Sequence, residues 1–282
     1  MNGLFNINKP LGVSSAKAIW LLKQKLNIKD KIGHMGTLDP FATGVLIVGV
    51  GRANRLFDVM LEKVKTYVAT FEFGYQTETL DRESSNILFT SNKIPTQDEI
   101  KSVLPSMLGK SLQIAPSYSA KSINGTRAYM FARQGKQVEI KPHSIEIYKF
   151  NLIKQQSNTT FVFEIECSKG TYIRSICRDL AEKLGTYATM TALERTKCGN
   201  FLIENSKTLE EVTENDIIKN DFVLTNFKTL ELSDLEIQKI RNGQKVEINE
   251  DVGEYKVYQN SCLIGIAKVD ENKNVKIKTW LI

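Results

Sequence analysis

In "GHMGTLDPFATGVL" (residues 33–46) a single carboxylate, Asp39, sits beside Pro40 among glycines, threonines and apolar residues, and no other acid occurs between Asp30 and Asp58. Three kinds of chemistry are open to it. Hard cations want several oxygen ligands and find none nearby in sequence, which makes metal binding the weakest reading. An Asp-Pro step can cap a short helix with proline in its first turn, and on the residues alone this is the stronger reading. The third is nucleophilic chemistry, which requires the carboxylate to stay ionised near a cation and out of bulk water. Gly33, Gly36 and Gly44 around the acid suit a crowded loop that a ligand approaches closely. The G-x-x-x-x-G-K-[ST] spacing of a phosphate-binding loop is missing.

The elements that must position such a loop can be read from periodicity. Ser14 and Ser15 precede a helical stretch, "AKAIWLLKQKLN", with Ile19, Leu22 and Leu26 on one face. "VATFEF" (68–73) alternates as a strand with Ala69, Phe71 and Phe73 inward, and "FVFEIEC" (161–167) does the same with Phe161, Phe163, Ile165 and Cys167. Thr96 and Glu99 form a capping-box pattern ahead of Ile100, Val103, Leu104 and Met107. In "SKGTYIRSICRDLAEKLG", Ile173, Ile176, Cys177, Leu180 and Leu184 line one helical face, and Gly185 is placed to end it. Strands and helices interleave without a βαβ rhythm, so the expected class is mixed α+β. Near 215–228 a short polar linker is expected, followed by a β-rich unit built from "GEYKVYQ", "CLIGIAKV" and "VKIKTWLI".

The chain has 282 residues, 41% of them apolar and 25% charged, which fits a globular protein with a real core: one large domain, or a medium one and a small one. No run approaches the roughly 18 apolar residues of a membrane span, and the N-terminus lacks signal-peptide features, so a cytoplasmic location is expected. Cys167, Cys177, Cys198 and Cys262 show no C-x-x-C spacing, and only His34 and His143 could complete a site, so neither zinc nor a disulfide framework is expected. The net charge is +6, but its placement matters more. Residues 115–145 carry +4 and residues 167–200 carry +3, both with aromatics, whereas residues 226–282 sum to zero. That mix suits a nucleic-acid groove, with lysine-rich solvated loops as the plain alternative.

The blocks "NKPLGVSS" (8–15), "GHMGTLDPFATGVL", "KTYVATFEFGYQTETLD" (65–81), "QIAPSYSAKSINGTRAYMFARQG" (113–135) and "CSKGTYIRSICRDLAEKLG" (167–185) resemble, in order, those of the bacterial tRNA pseudouridine synthases that act on position 55 in the T arm. The resemblance implies an α+β, largely antiparallel sheet flanked by helices over residues 1–215, with an RNA-clamping insertion near 113–145, and a PUA-like RNA-binding domain over 229–282. It implies an isomerase that needs no cofactor or metal, flips uridine out of the T loop of tRNA, and works as a monomer without an obligatory protein partner. Asp39 matches the aspartate that takes part in breaking the glycosidic bond and re-forming it at C5, whether by attack at C6, attack at C1′ or by way of a glycal. Arg174 matches the arginine that pairs with that acid, and Tyr67 the tyrosine that stacks on the base and takes part in proton transfer. Tyr172 resembles a second active-site tyrosine, Leu193 an apolar pocket residue, and His34 a histidine touching RNA near the flipped base. Lys121, Arg127 and Arg133 fall in the clamp, and Asp81 matches a second acid of RNA-facing or structural role.

Two positions depart from the pattern: Glu78 replaces the usual aspartate, and Glu194 stands where arginine is common, removing a phosphate or structural contact. Two other readings compete, a non-catalytic RNA-binding or chaperone protein and a guide-RNA-dependent relative. Asp39, Tyr67 and Arg174 together argue against the first. The 113–135 block and the short C-terminal unit argue against the second.

Overall fold

Alternating burial along Lys65–Phe73 and Thr160–Cys167 turns Ala69, Phe71, Phe73, Phe161, Phe163 and Ile165 into one apolar face, and these strands lie near the middle of the main sheet. The computed structural model describes residues 1–119, 121–123, 125–136 and 138–282, with every side chain among them except those of Ile123, Arg127 and Arg133. The described residues build a nine-stranded sheet in the order Gly3–Lys9, Thr43–Val50, Ala188–Cys198, Lys65–Phe73, Thr160–Cys167, His143–Gln155 and Gly109–Gln113, with Ile32–His34 and Phe201–Leu202 attached at its side. All pairings are antiparallel except Thr43–Val50 with Ala188–Cys198, which meet only at Glu194↔Thr43 and Arg195↔Gly44. Beyond those two residues Thr43–Val50 pairs with Ile32–His34 instead. The loop over residues 35–42, which carries Asp39, therefore emerges where the sheet is least closed.

Helices Ser15–Lys25 and Ile173–Lys183 cover the apolar face, burying Ala18 and Leu22 from one and Ile176, Cys177 and Leu180 from the other. Ser14 caps the first, its hydroxyl accepting from Lys17 N. Ala18 takes the core position expected of Ile19, which is half-buried. Thr96 and Glu99 form the capping box of Gln97–Val103, and Gly185 ends Ile173–Lys183 with φ +66°.

The stretch expected as a linker is packed. Leu4 N donates to Ile218 O and Ile218 N to Leu4 O, and Val223 and Leu224 are buried with Leu4, Val45 and Phe201. Its apolar residues come in clusters, Ile217–Ile218 and Phe222–Leu224, rather than in alternation, and Val223 and Leu224 are buried only through partners distant in sequence. The C-terminal unit adds to the three expected strands a strand Lys228–Glu231 and a helix Asp234–Arg241 around its own core of Leu230, Ile237, Tyr255 and Val257. Ile266 and Leu281 join it to the core that includes Val223 and Leu224. No helix among the described residues is long and apolar enough to cross a membrane.

Gly44 marks the tightest point of the seam: its φ is +96° and a Cβ there would lie 2.3 Å from Arg195 O. Gly44→Ala should cost about 2 kcal/mol or more in urea unfolding, since backbone strain and a collision with a neighbouring strand add. Gly243→Ala, at φ +74° with open space around it, should cost only about 1 kcal/mol. Equal losses would refute the close approach.

Candidate active site

No helix follows Asp39. Residues 39–42 form a turn, with Ala42 N donating to Asp39 O at 3.0 Å, and a strand begins at Thr43. The Asp39 carboxylate is free of capping and meets Arg174 side-on: Arg174 Nε lies 3.0 Å from Oδ2 and Nη2 donates to Oδ1 at 3.1 Å. This bidentate geometry is the strong form of an ion pair. Arg174 sits in the first turn of Ile173–Lys183, only 6% exposed. Its Nη2 also donates to Tyr118 O at 3.1 Å, and Nη1 donates to Thr79 O at 3.1 Å and meets Asp81 Oδ2 at 3.2 Å. All three guanidinium nitrogens are thereby engaged.

Asp81, given in the sequence only a generic role, is buried and holds the other end of the network. Its Oδ1 accepts from Thr79 Oγ1 and from Glu83 N. Leu80 has a left-handed φ of +63°, a conformation that costs a side-chain-bearing residue energy. The turn there lets Thr79 O and the Asp81 carboxylate converge on one nitrogen.

Three further cations fix the walls of the site, none paired with a carboxylate among the described residues. Lys9 Nζ donates to Pro10 O, Val13 O and Pro40 O, tying the "NKPLGVSS" block to the aspartate loop. Burial lowers its pKa to about 8, with Asp39 opposing. Ser15 Oγ adds a second tie, donating to Leu38 O and accepting from Leu38 N at 2.9 Å each. Arg195, 2% exposed, donates to Val45 O, Gly36 O and Thr37 O. Lys65 Nζ donates to Leu61 O and Lys63 O. Lys9, Lys65 and Arg195 carried no distinct signal in sequence, because a lysine or arginine in a polar-looking block reads as solvated until the fold encloses it.

These groups border a cleft of about 780 Å³ lined by Asp39, Tyr67, Arg174, Tyr172, Leu193 and Arg195, among others. Tyr67 is 8% exposed, and burial pushes its phenol up to about 12, partly offset by the adjacent Arg195 guanidinium. Ser119, in the wall, is 4% exposed and its hydroxyl has no partner among the described residues. Tyr172 occupies the N-cap position of Ile173–Lys183 without a side-chain capping bond, and the Gln113 side chain brackets its backbone, accepting from Tyr172 N and donating to its carbonyl. The insertion expected near 113–145 rises beside the cleft: Tyr172 packs on Ala115, Ala128 and Ile140. Glu78 Oε1 accepts from Tyr118 Oη at 2.9 Å, so that departure joins the insertion to the loop after Lys65–Phe73.

Two sequence candidates lie away from the cleft walls. His34 is half-buried on the strand beside them, its pKa lowered by burial and by Arg195. Lys121 Nζ donates to Lys141 O within the insertion and lies 3.5 Å from His143 Nδ1. His143 Nε2 donates to Gly170 O, which makes the second histidine a structural tie. The side chains of Arg127 and Arg133 lie outside the described residues. Glu194 is half-buried next to Arg195.

Three family models together match residues 23–278: TruB family pseudouridylate synthase (N terminal domain) over 23–173, tRNA pseudouridylate synthase B C-terminal domain over 174–227, and pseudouridine synthase II TruB, C-terminal, over 229–278. The chain is 38% identical to the tRNA pseudouridine synthase B of Rickettsia akari over 281 residues, covering 96% of each chain. It is also 38% identical to that of Clostridium perfringens over 294 residues, covering 100% of this chain and 99% of the relative. In fold it is similar to a chain of a Cbf5-Nop10-Gar1 complex, with a TM-score of 0.74, 20% identity, and coverage of 99% of this chain and 85% of that one.

Burial raises the Asp39 carboxyl above its ordinary 3.8, the Arg174 guanidinium opposes, and the Asp81 charge adds to the rise. Followed by carbon-13 NMR of labelled aspartate, Asp39 should therefore titrate above 3.8. Asp81→Asn should move that titration to lower pH, because removing a neighbouring negative charge favours the ionised form. A move to higher pH would mean that Asp81 acts on Asp39 mainly by orienting Arg174.

Proposed function

The chain belongs to the TruB family and is a tRNA pseudouridine synthase, an isomerase; we propose that it converts uridine at position 55 in the T arm of tRNA, with Asp39, Tyr67 and Arg174 as the groups that carry the reaction. The observation that carries this reading is the bidentate Asp39–Arg174 pair at the base of a cleft that also holds Tyr67 and Leu193. The guanidinium keeps the carboxylate charged and aimed in a site that would otherwise favour its protonation. An ionised Asp39 is what attack at C6, attack at C1′ and glycal formation all require when the N1–C1′ bond breaks. The base then turns and rejoins C1′ through C5.

A uridine in the cleft has left its stack, and Tyr67 offers a ring to replace that stacking. Leu193 and Tyr172 complete an apolar surround. The Tyr67 hydroxyl, held at a pKa of about 12, is suited to relay the C5 proton as a neutral phenol. Lys121, Arg127 and Arg133, in the insertion, supply phosphate contacts to the T stem, and the C-terminal unit assists. In this reading the protein acts in the cytoplasm as a monomer and needs no cofactor.

Asp39→Ala should abolish tritium release from 5-labelled uridine in a tRNA transcript, a loss of roughly 10⁴-fold or more, while tRNA affinity stays within several-fold. The variant should fold, since Arg174 keeps Asp81 and two carbonyls as partners. A variant with a tenth of normal turnover would overturn the role of Asp39, and pseudouridine mapped elsewhere in the transcript would overturn the site.

The phosphate grip has its own test. Replacing Lys121, Arg127 and Arg133 together by alanine should flatten the dependence of log K on log salt by roughly two to three units. Replacing the exposed Lys245, Lys268 and Lys276 of the C-terminal unit together by alanine should leave that slope nearly unchanged. A larger flattening in this second variant would place the grip in the C-terminal unit.

A further inference from the structure

Arg195 is among the largest fully buried side chains of the protein, and it forms no ion pair with a carboxylate among the described residues. An enclosed cation without a counter-charge is costly, and latching a loop onto a sheet could be done by neutral donors. What distinguishes Arg195 is its place. It stands opposite Tyr67 in the register of two adjacent strands, and both side chains line the cleft. Its Nε and Nη atoms also hold the carbonyls of Gly36, Thr37 and Val45, so the guanidinium is fixed between the aspartate loop and the tyrosine. Asp39, Lys65, Asp81 and Arg174 also line the cleft, and among these charged groups Arg195 is the one directly across the strand register from Tyr67.

We propose that Arg195 is a positioning residue for the proton-transfer step, holding the Tyr67 oxygen in place and stabilising the negative charge it gains while passing the C5 proton on. The inference rests on the reading above that the Tyr67 hydroxyl relays that proton. Once C1′ is joined to C5, the C5–H bond breaks and its electron pair forms the C5=C6 double bond. The C6=N1 pair returns to N1, which takes a proton from solvent. The C5 proton goes to Tyr67 Oη as the hydroxyl's own proton leaves to water. During this exchange Oη carries partial negative charge, and a buried guanidinium beside it, already oriented by three carbonyls, needs no reorganisation to stabilise it.

The test is a double-mutant cycle on the full chain, read as single-turnover pseudouridine formation at saturating tRNA transcript. Arg195→Gln should slow the Tyr67 protein roughly tenfold or more, and should slow the Tyr67→Phe protein by less than about twofold, because the group through which Arg195 acts is already gone. Equal losses in both backgrounds overturn the proposal and leave Arg195 as a loop latch alone. A Tyr67→Phe protein with a near-normal rate overturns the proton-relay reading and this inference with it, whereas a slow Tyr67→Phe protein with additive losses overturns only the role of Arg195. If the glutamine variant does not fold, Arg195→Lys keeps the charge with fewer donors and is tested with transcripts carrying 5-deuterated uridine. The deuterium isotope effect should exceed that of the native protein, since the C5 proton step has become slower relative to the others. An unchanged or smaller effect overturns the proposal.

Discussion

The cleft is organised by the three guanidinium nitrogens of Arg174. They hold the Asp39 carboxylate from the loop at the sheet seam, Thr79 O and Asp81 from the turn after Lys65–Phe73, and Tyr118 O from the segment after Gly109–Gln113. Three segments far apart in sequence thus converge on one planar, permanently charged group. A lysine could not reproduce this, because its ammonium is a point charge with three donors rather than a fixed fork. The two acids differ in setting, Asp81 buried and Asp39 partly open to the cleft, so the guanidinium keeps a buried counter-charge independent of Asp39.

Around that centre the protein uses cations against carbonyls. Lys9, Lys65 and Arg195 each direct their donors to backbone oxygens at loop turns, fixing residues 10–13, 36–45 and 60–63. Charge-assisted hydrogen bonds of this kind hold irregular backbone where no ladder can. Lys65 and Arg195 also place positive charge in the lining of the cleft. The rim carries the opposite sign at Glu78 and Glu83, both beside the cleft. At Glu78 the negative charge is turned to local use through Tyr118.

Residues 203–227 make the C-terminal unit an extension of the main body. They run along the free edge of Gly3–Lys9, where Lys207 N donates to Asn6 O, Asn8 N to Lys207 O and Ile218 N to Leu4 O, and they place Val223 and Leu224 in a shared core. The zero net charge of that unit and its apolar contact through Ile266 and Leu281 agree in making it a packed neighbour.

By itself the sequence determined the elements whose signals are local. Period-two burial placed Lys65–Phe73 and Thr160–Cys167, helical spacing placed Ile173–Lys183, and the pairs Thr96/Glu99 and Gly185 placed their ends, because each depends on residues within a few positions of one another. The motif blocks also brought Asp39, Tyr67 and Arg174 to attention. Tertiary structure alone decided that Asp39 caps nothing, that Asp81 closes the same network, that Val223 and Leu224 of the stretch near 215–228 join the core, and that Lys9, Lys65 and Arg195 are enclosed. A charge's role is set by what surrounds it, and its surroundings here come from strands and loops more than a hundred residues apart, as Arg174 and Asp39 are at 135. No local pattern records which carbonyl a buried ammonium will meet, so those contacts exist only once the sheet has closed over them.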